Sequence, residues 1–194
     1  MNNLTRLLGS LALAALLATT AESQTAHDYF TNGMAKKQAG DLPGALADLN
    51  KAIELNSNSA AAYCLRGELR QTSLLWSGAM ADFNKAIELR PDDLTYYMRG
   101  TLKQAKGELA GALADYNQAI ALARSAKPAD KRIREFLAFV YDHRGTVKYR
   151  LDDAAGARAD YTKAIELDPI NEPARNALSA LKESELKKEK RAGP

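Results

Sequence analysis

Cys64, His27 and His143 are the side chains best suited to covalent or acid–base chemistry in this 194-residue chain. A cysteine becomes a nucleophile when a base takes its proton, and no motif places either histidine beside Cys64. A small apolar side chain in a helical core is the plainer reading of a lone cysteine. Two histidines and one cysteine without close spacing make no metal site. Glu54, Glu88 and Glu166 are widely separated solvated helix positions rather than an acid paired with a base. No strand leading into a glycine-rich turn is legible, so nothing is set to cradle a phosphate. The sequence therefore predicts no catalytic centre, no metal, no cofactor and no small-molecule substrate.

A second set of charged residues recurs. Arg66, Arg99 and Arg144 precede Asp82, Asp115 and Asp160 by sixteen residues each. One reading is a ladder of arginines offered to an acidic partner; the other is an ion pair joining two helices. An aspartate at the matching place even where Asn32 replaces the arginine, Asp48, favours the ion pair, and the arginines are left out of the candidate binding set.

These residues sit in a pattern that must position them. Four segments superpose, Tyr29 to Ala52, Tyr63 to Ala86, Tyr96 to Ala119 and Tyr141 to Ala164. In each, Gly33, Gly67, Gly100 or Gly145 lies four residues after the tyrosine, and Gly44-Ala45, Gly78-Ala79, Gly111-Ala112 or Gly156-Ala157 begins eleven later. A large apolar residue follows (Leu49, Phe83, Tyr116, Tyr161), then an alanine opening Ala52-Ile53, Ala86-Ile87, Ala119-Ile120 or Ala164-Ile165. Steps of three and four place these side chains on one stripe of a helix. Turn and cap residues such as Asp41-Leu42-Pro43-Gly44 divide each unit into two helices, with Asp as N-cap and Pro in the first turn. The leading glycines are expected to face Ala45, Ala79, Ala112 and Ala157 where two helices approach closely. Pro91 and Pro169 end two of the units; Ser57 and Arg124 stand at the equivalent places. Successive leading glycines are 34, 33 and 45 residues apart, a period that belongs to helical repeat arrays. The surplus in the last interval predicts a longer closing helix, a turn at Lys127-Pro128 and a longer opening helix.

Aromatic, Gly, Ala, aromatic, Ala and Pro at these spacings resemble the tetratricopeptide repeat family. The resemblance spans residues 26 to about 171, as repeats 26–59, 60–92, 93–126 and 138–171 with an insertion near 125–137. It implies an all-α, right-handed superhelical array of helical hairpins whose concave groove, lined by each unit's first helix, holds a protein or peptide. The groove is expected to present Phe30 and Met34, Cys64 and Glu68, Tyr97 and Thr101, and Asp142 and Thr146, positions that change from unit to unit while the scaffold repeats. Some family members clamp a C-terminal carboxylate with Lys and Asn; Phe30 and Met34 suit an apolar or amphipathic peptide better. In the insertion, Lys127, Lys131, Arg132 and Arg134 accompany Phe136 and Phe139. This mixture either contacts a partner or packs one phenylalanine between lengthened helices while the charges solvate the outside.

Residues 172–190 read as a capping helix, apolar only in its first half, with 191–194 as a tail; stacked arrays need such a polar-backed end. Array-end stacking, giving a self-assembling envelope component, is the alternative to client binding. At the other end, Arg6 is the only charged residue among the first 21, and Leu7 to Ala18 is nearly all Leu and Ala. That is a signal-peptide pattern with cleavage near Ala21 or Ser23, and it predicts a periplasmic or secreted protein. The rival is an uncleaved membrane tether, but the uncharged run from Leu7 to Ala21 is 15 residues, short of the roughly 20 that span a bilayer. The net charge of +3 comes from 27 basic and 24 acidic residues that are interspersed, so nucleic acid is not an expected partner.

Overall fold

The computed structural model describes residues 24–125 and 130–192. The proposed export segment and the expected turn at Lys127-Pro128 lie outside the described residues. Among those described, every regular element is helical: α1 (Ala26–Gln38), α2 (Leu42–Leu55), α3 (Ala60–Thr72), α4 (Trp76–Leu89), α5 (Asp93–Ala105), α6 (Leu109–Ser125), α7 (Lys131–Arg150), α8 (Ala154–Leu167) and α9 (Glu172–Ala192). The fold is a helical repeat array. It divides into two compact units, one ending at Ser57 and one beginning at Asn58.

The first unit is the hairpin of α1 and α2. Thr25 caps α1 by a reciprocal box, accepting from the Asp28 amide while the Asp28 carboxylate accepts from the Thr25 amide at 2.8 Å. Asp41 caps α2 by accepting from the Gly44 amide at 2.9 Å, with Pro43 in the first turn where no amide donor is missed. Ala45, Leu49, Ala52 and Ile53 supply its buried stripe.

The second unit contains three further hairpins, α3–α4, α5–α6 and α7–α8, closed by α9. Consecutive helices pack on one another, and each first helix also touches the next first helix. The surplus residues of the last interval lengthen α6 to 17 residues and α7 to 20, against 13 or 14 in the other hairpin helices. α9 lies on α8 and, more lightly, on α7; Ala174 and Leu181 bury its inner side, and Glu185 pairs with Arg158.

All four hairpins turn by one device. The amides of Asp41, Leu75, Glu108 and Asp153 donate five residues back to the carbonyls of Lys36, Arg70, Lys103 and Lys148, the six-to-one bond of a Schellman motif. That motif needs a left-handed residue just before the donor. Gly40, Gly107 and Asp152 fill the place at φ +82°, +81° and +62°, all tolerant residue types. In the α3–α4 turn Leu74 is held there at φ +59°, and Leu75 follows as an N-cap without a side-chain bond. Leu74 and Leu75 are 74% and 54% exposed, so little packing repays the strain and the missing cap. Leu74→Gly combined with Leu75→Asp is therefore expected to raise stability by about 1–2 kcal/mol, read as a higher denaturation midpoint at unchanged slope. An unchanged or lower midpoint would show that the two leucines stabilise the turn by other means.

The leading glycines sit where the sequence expects close approach, with the carbonyl oxygens of Ala45 and Ala157 3.4 and 3.3 Å from the place a Cβ on Gly33 or Gly145 would take, but the nearest neighbour is the large side chain one turn on. A Cβ on Gly67, Gly100 or Gly145 would meet the ring of Phe83, Tyr116 or Tyr161 at 2.8, 2.7 and 2.8 Å. Ala79, Ala112 and Ala157 are fully buried in the same clusters, and the aromatic side chain makes the nearest contact to the glycine. In the first hairpin Leu49 does this more loosely, its Cγ 3.1 Å from the position a Cβ on Gly33 would take.

Candidate protein-binding site

The recurring charges are consumed inside the scaffold. Asp82, Asp115 and Asp160 are buried at the hairpin interface. Each carboxylate accepts two hydrogen bonds from one guanidinium: Arg66 at 3.0 and 2.7 Å, Arg99 at 2.9 and 2.7 Å, Arg144 at 2.8 and 2.6 Å. A second cation one turn on completes each cluster, Arg70 at 2.6 Å, Lys103 at 2.8 Å and Lys148 at 2.9 Å. The arginines also stack on the leading tyrosines Tyr63, Tyr96 and Tyr141 at 5.4, 5.5 and 5.1 Å. Arg99 and Arg144 donate further to Asn84 and Asn117 of the preceding hairpin, at 2.8 and 2.7 Å. These arginines thus fasten hairpin to hairpin. In the first unit Asp48 pairs instead with Lys36, at 2.7 Å.

What remains for a partner is the opposite side of the first helices. Positions one and five after the leading tyrosine, extended one turn each way, form parallel rows in the second unit. They are Ala61, Cys64, Glu68 and Gln71 on α3; Leu94, Tyr97, Thr101 and Gln104 on α5; Phe139, Asp142, Thr146 and Tyr149 on α7. The rows touch, because the Gln71 side-chain amide donates to Thr101 Oγ1 at 3.3 Å, while Thr101 donates to the Met98 carbonyl at 2.8 Å.

Tyr97 is a structural centre as much as a contact. Its ring lies 6.0 Å from Tyr116, 5.7 Å from Phe136 and 5.4 Å from His143, the last two edge-on. Burial raises the Tyr97 and Tyr116 hydroxyl pKa values and lowers that of His143, whose ring packs against both tyrosines. Tyr116 donates its hydroxyl to Gln104 Oε1 at 2.7 Å. Cys64 is half-buried against the cluster of Ala79, Phe83 and Leu102, and Glu68 is half-buried on the same helix. Asp142 is half-buried, and its carboxyl pKa is raised by loss of water. Among the described residues, no hydrogen-bond or ion-pair partner reaches that carboxylate. Thr146 lies beside it, 3.3 Å from the Tyr161 hydroxyl. In the first unit, Phe30 is half-buried and Met34 is 41% exposed on α1.

Three exposed apolar side chains on these rows are absent from the expected set: Leu94, Phe139 and Tyr149, at 45%, 51% and 49% exposure. Extending the two chosen positions by a helical turn in each direction finds all three. Of the insertion's phenylalanines, Phe136 packs on Tyr97 and the core while Phe139 faces out; Lys131, Arg132 and Arg134 are exposed. A cavity of about 400 Å³ is lined by Thr101, Gln104 and Lys106 from the α5 side and by His143 and Arg150 from α7. Among the described residues, no group of three His, Cys, Asp or Glu side chains could hold a metal ion, and no helix is long and apolar enough to cross a membrane.

Stacked helical hairpins with a repeating inner stripe and a varied, partly apolar outer row on the first helices define a repeat scaffold for protein interaction. Family models described as TPR repeat and tetratricopeptide repeat match residues 33–72 and residues 95–125 and 140–171, respectively. The chain belongs to the tetratricopeptide repeat family. The crystal structure of MamA protein is similar at 21% identity and a TM-score of 0.69, with 82% of each chain covered. The Pseudomonas aeruginosa pilF structure is similar at 19% identity and a TM-score of 0.72, covering 84% of this chain and 69% of that one. The first TPR of Spaghetti (RPAP3), bound to the HSP90 peptide SRMEEVD, matches at 23% identity and a TM-score of 0.57, covering 66% and 94%. A comparison with curated proteins returns no match.

Proposed function

We propose that the chain is an exported adaptor whose first-helix face holds a segment of a client protein and performs no reaction of its own. The observation that carries this reading is the row Phe139, Asp142, Thr146 and Tyr149, where two aromatic rings on one face stay about half exposed while Phe83, Tyr116, Tyr141 and Tyr161 are buried in the hairpins. Exposed apolar side chains gathered on one face mark interaction sites, whereas scattered ones do not. A structural relative titled as bound to a peptide supports the same use of the fold. The lone arginine and the Leu- and Ala-rich run within residues 1–21 support export to the periplasm or beyond.

The test is a crosslinking pull-down with the full chain beside Phe139→Ser/Tyr149→Ser, whose side chains are exposed enough that folding should survive. A partner captured by the parent and lost by the variant supports the adaptor. Equal capture by both would remove the face from consideration, and self-crosslinked multimers alone would replace the adaptor with a self-assembling component.

A further inference from the structure

Asp142 is a charged element of the α7 row that an apolar client does not explain. It lies on α7 one turn after Phe139 and one before Thr146, with Tyr149 a further turn on, so a charged group sits inside an aromatic row. Tyr97 of α5 and Tyr161 of α8 are near enough to feel its charge. The scaffold carboxylates Asp82, Asp115 and Asp160 each hold two cations, whereas Asp142 has no ion-pair or hydrogen-bond partner among the described residues. A half-buried charge without a partner costs free energy that an incoming opposite charge would recover.

We propose that Asp142 is the specificity residue of the groove, receiving a lysine or arginine of the client while Phe139, Tyr149 and Tyr97 cover its methylene stem. Aromatic rings around a carboxylate suit a cationic side chain twice over, since ring faces attract the cation and apolar edges cover the stem. The inference rests on the adaptor reading and names the chemistry of its partner.

The test is selection of a random-peptide library displayed on phage against the full chain. Selected peptides should share a basic position, bind Asp142→Asn at least about tenfold more weakly, and give way to peptides with an acidic residue there when Asp142→Lys is the bait. Asp142→Asn should melt no lower than the parent, because it removes an unpaired half-buried charge, so weaker binding would not reflect unfolding. Peptides that lose binding in Phe139→Ser/Tyr149→Ser yet show no basic preference, and bind Asp142→Asn as well as the parent, would overturn this inference and leave the adaptor standing. Peptides indifferent to the Phe139 and Tyr149 changes, or no selected peptide at all, would overturn both.

Discussion

Asp115→Ala is expected to destabilise the unit beginning at Asn58 by about 3 kcal/mol or more. The side chain of Asp115 is 4% exposed, accepts two hydrogen bonds from Arg99 and forms an ion pair with Lys103 at 2.8 Å. Its removal leaves two cations, 18% and 19% exposed, facing each other over a vacated site at the hairpin interface. Breaking one side of a buried pair costs far more than forming the pair gains, because the stranded charges keep their desolvation cost. Arg99 would also lose the anchor that aims it at Asn84 of the preceding hairpin, so the damage should spread across the α4–α5 contact. Urea denaturation measures the loss. A change below about 1 kcal/mol, the range of an exposed pair, would mean the cluster is solvated and fastens nothing.

Tyr116→Ala should be as damaging, at about 3–5 kcal/mol. The ring is fully buried, lies against Gly100, and supports Tyr97 and His143. Gly100 has no side chain and Ala112 and Ala119 are small, so the near neighbours along the hairpin leave most of the vacated space unfilled. Tyr116→Phe separates the contributions: it keeps the ring and loses only the bond to Gln104, so about 1 kcal/mol is expected. If the two variants lost equal stability, the hydroxyl bond rather than the packing would hold this junction.

The array was legible because its signals are redundant. The tyrosine, two glycines and two alanines keep fixed spacing through four units, and helical period turns that spacing into a buried stripe. The ion pair was legible from its recurrence at sixteen residues. The second cation of each cluster was not, because Arg70, Lys103 and Lys148 look like ordinary helix-end charges until the helices are packed. Nor could spacing show which small residue meets which ring: Gly100 and Ala112 are both interfacial, and only the crossing geometry puts Tyr116 over the former. The strain at Leu74 was available, since it stands where Gly40 and Gly107 stand in neighbouring units, but turn geometry was needed to make it matter. The missing partner of Asp142 could not be read at all, because sequence shows a charge and not whether something neutralises it.

These features separate a scaffold that repeats from a face that does not, and the central claim is that the client occupies that face. The most direct measurement is amide hydrogen exchange of the full chain with and without the client recovered by crosslinking. Slowed exchange should fall on α5 and α7, along the helices that carry Leu94 to Gln104 and Phe139 to Tyr149, with α4, α6 and α8 unchanged. Slowing confined to those second helices or to α9, with α5 and α7 unaffected, would contradict the account.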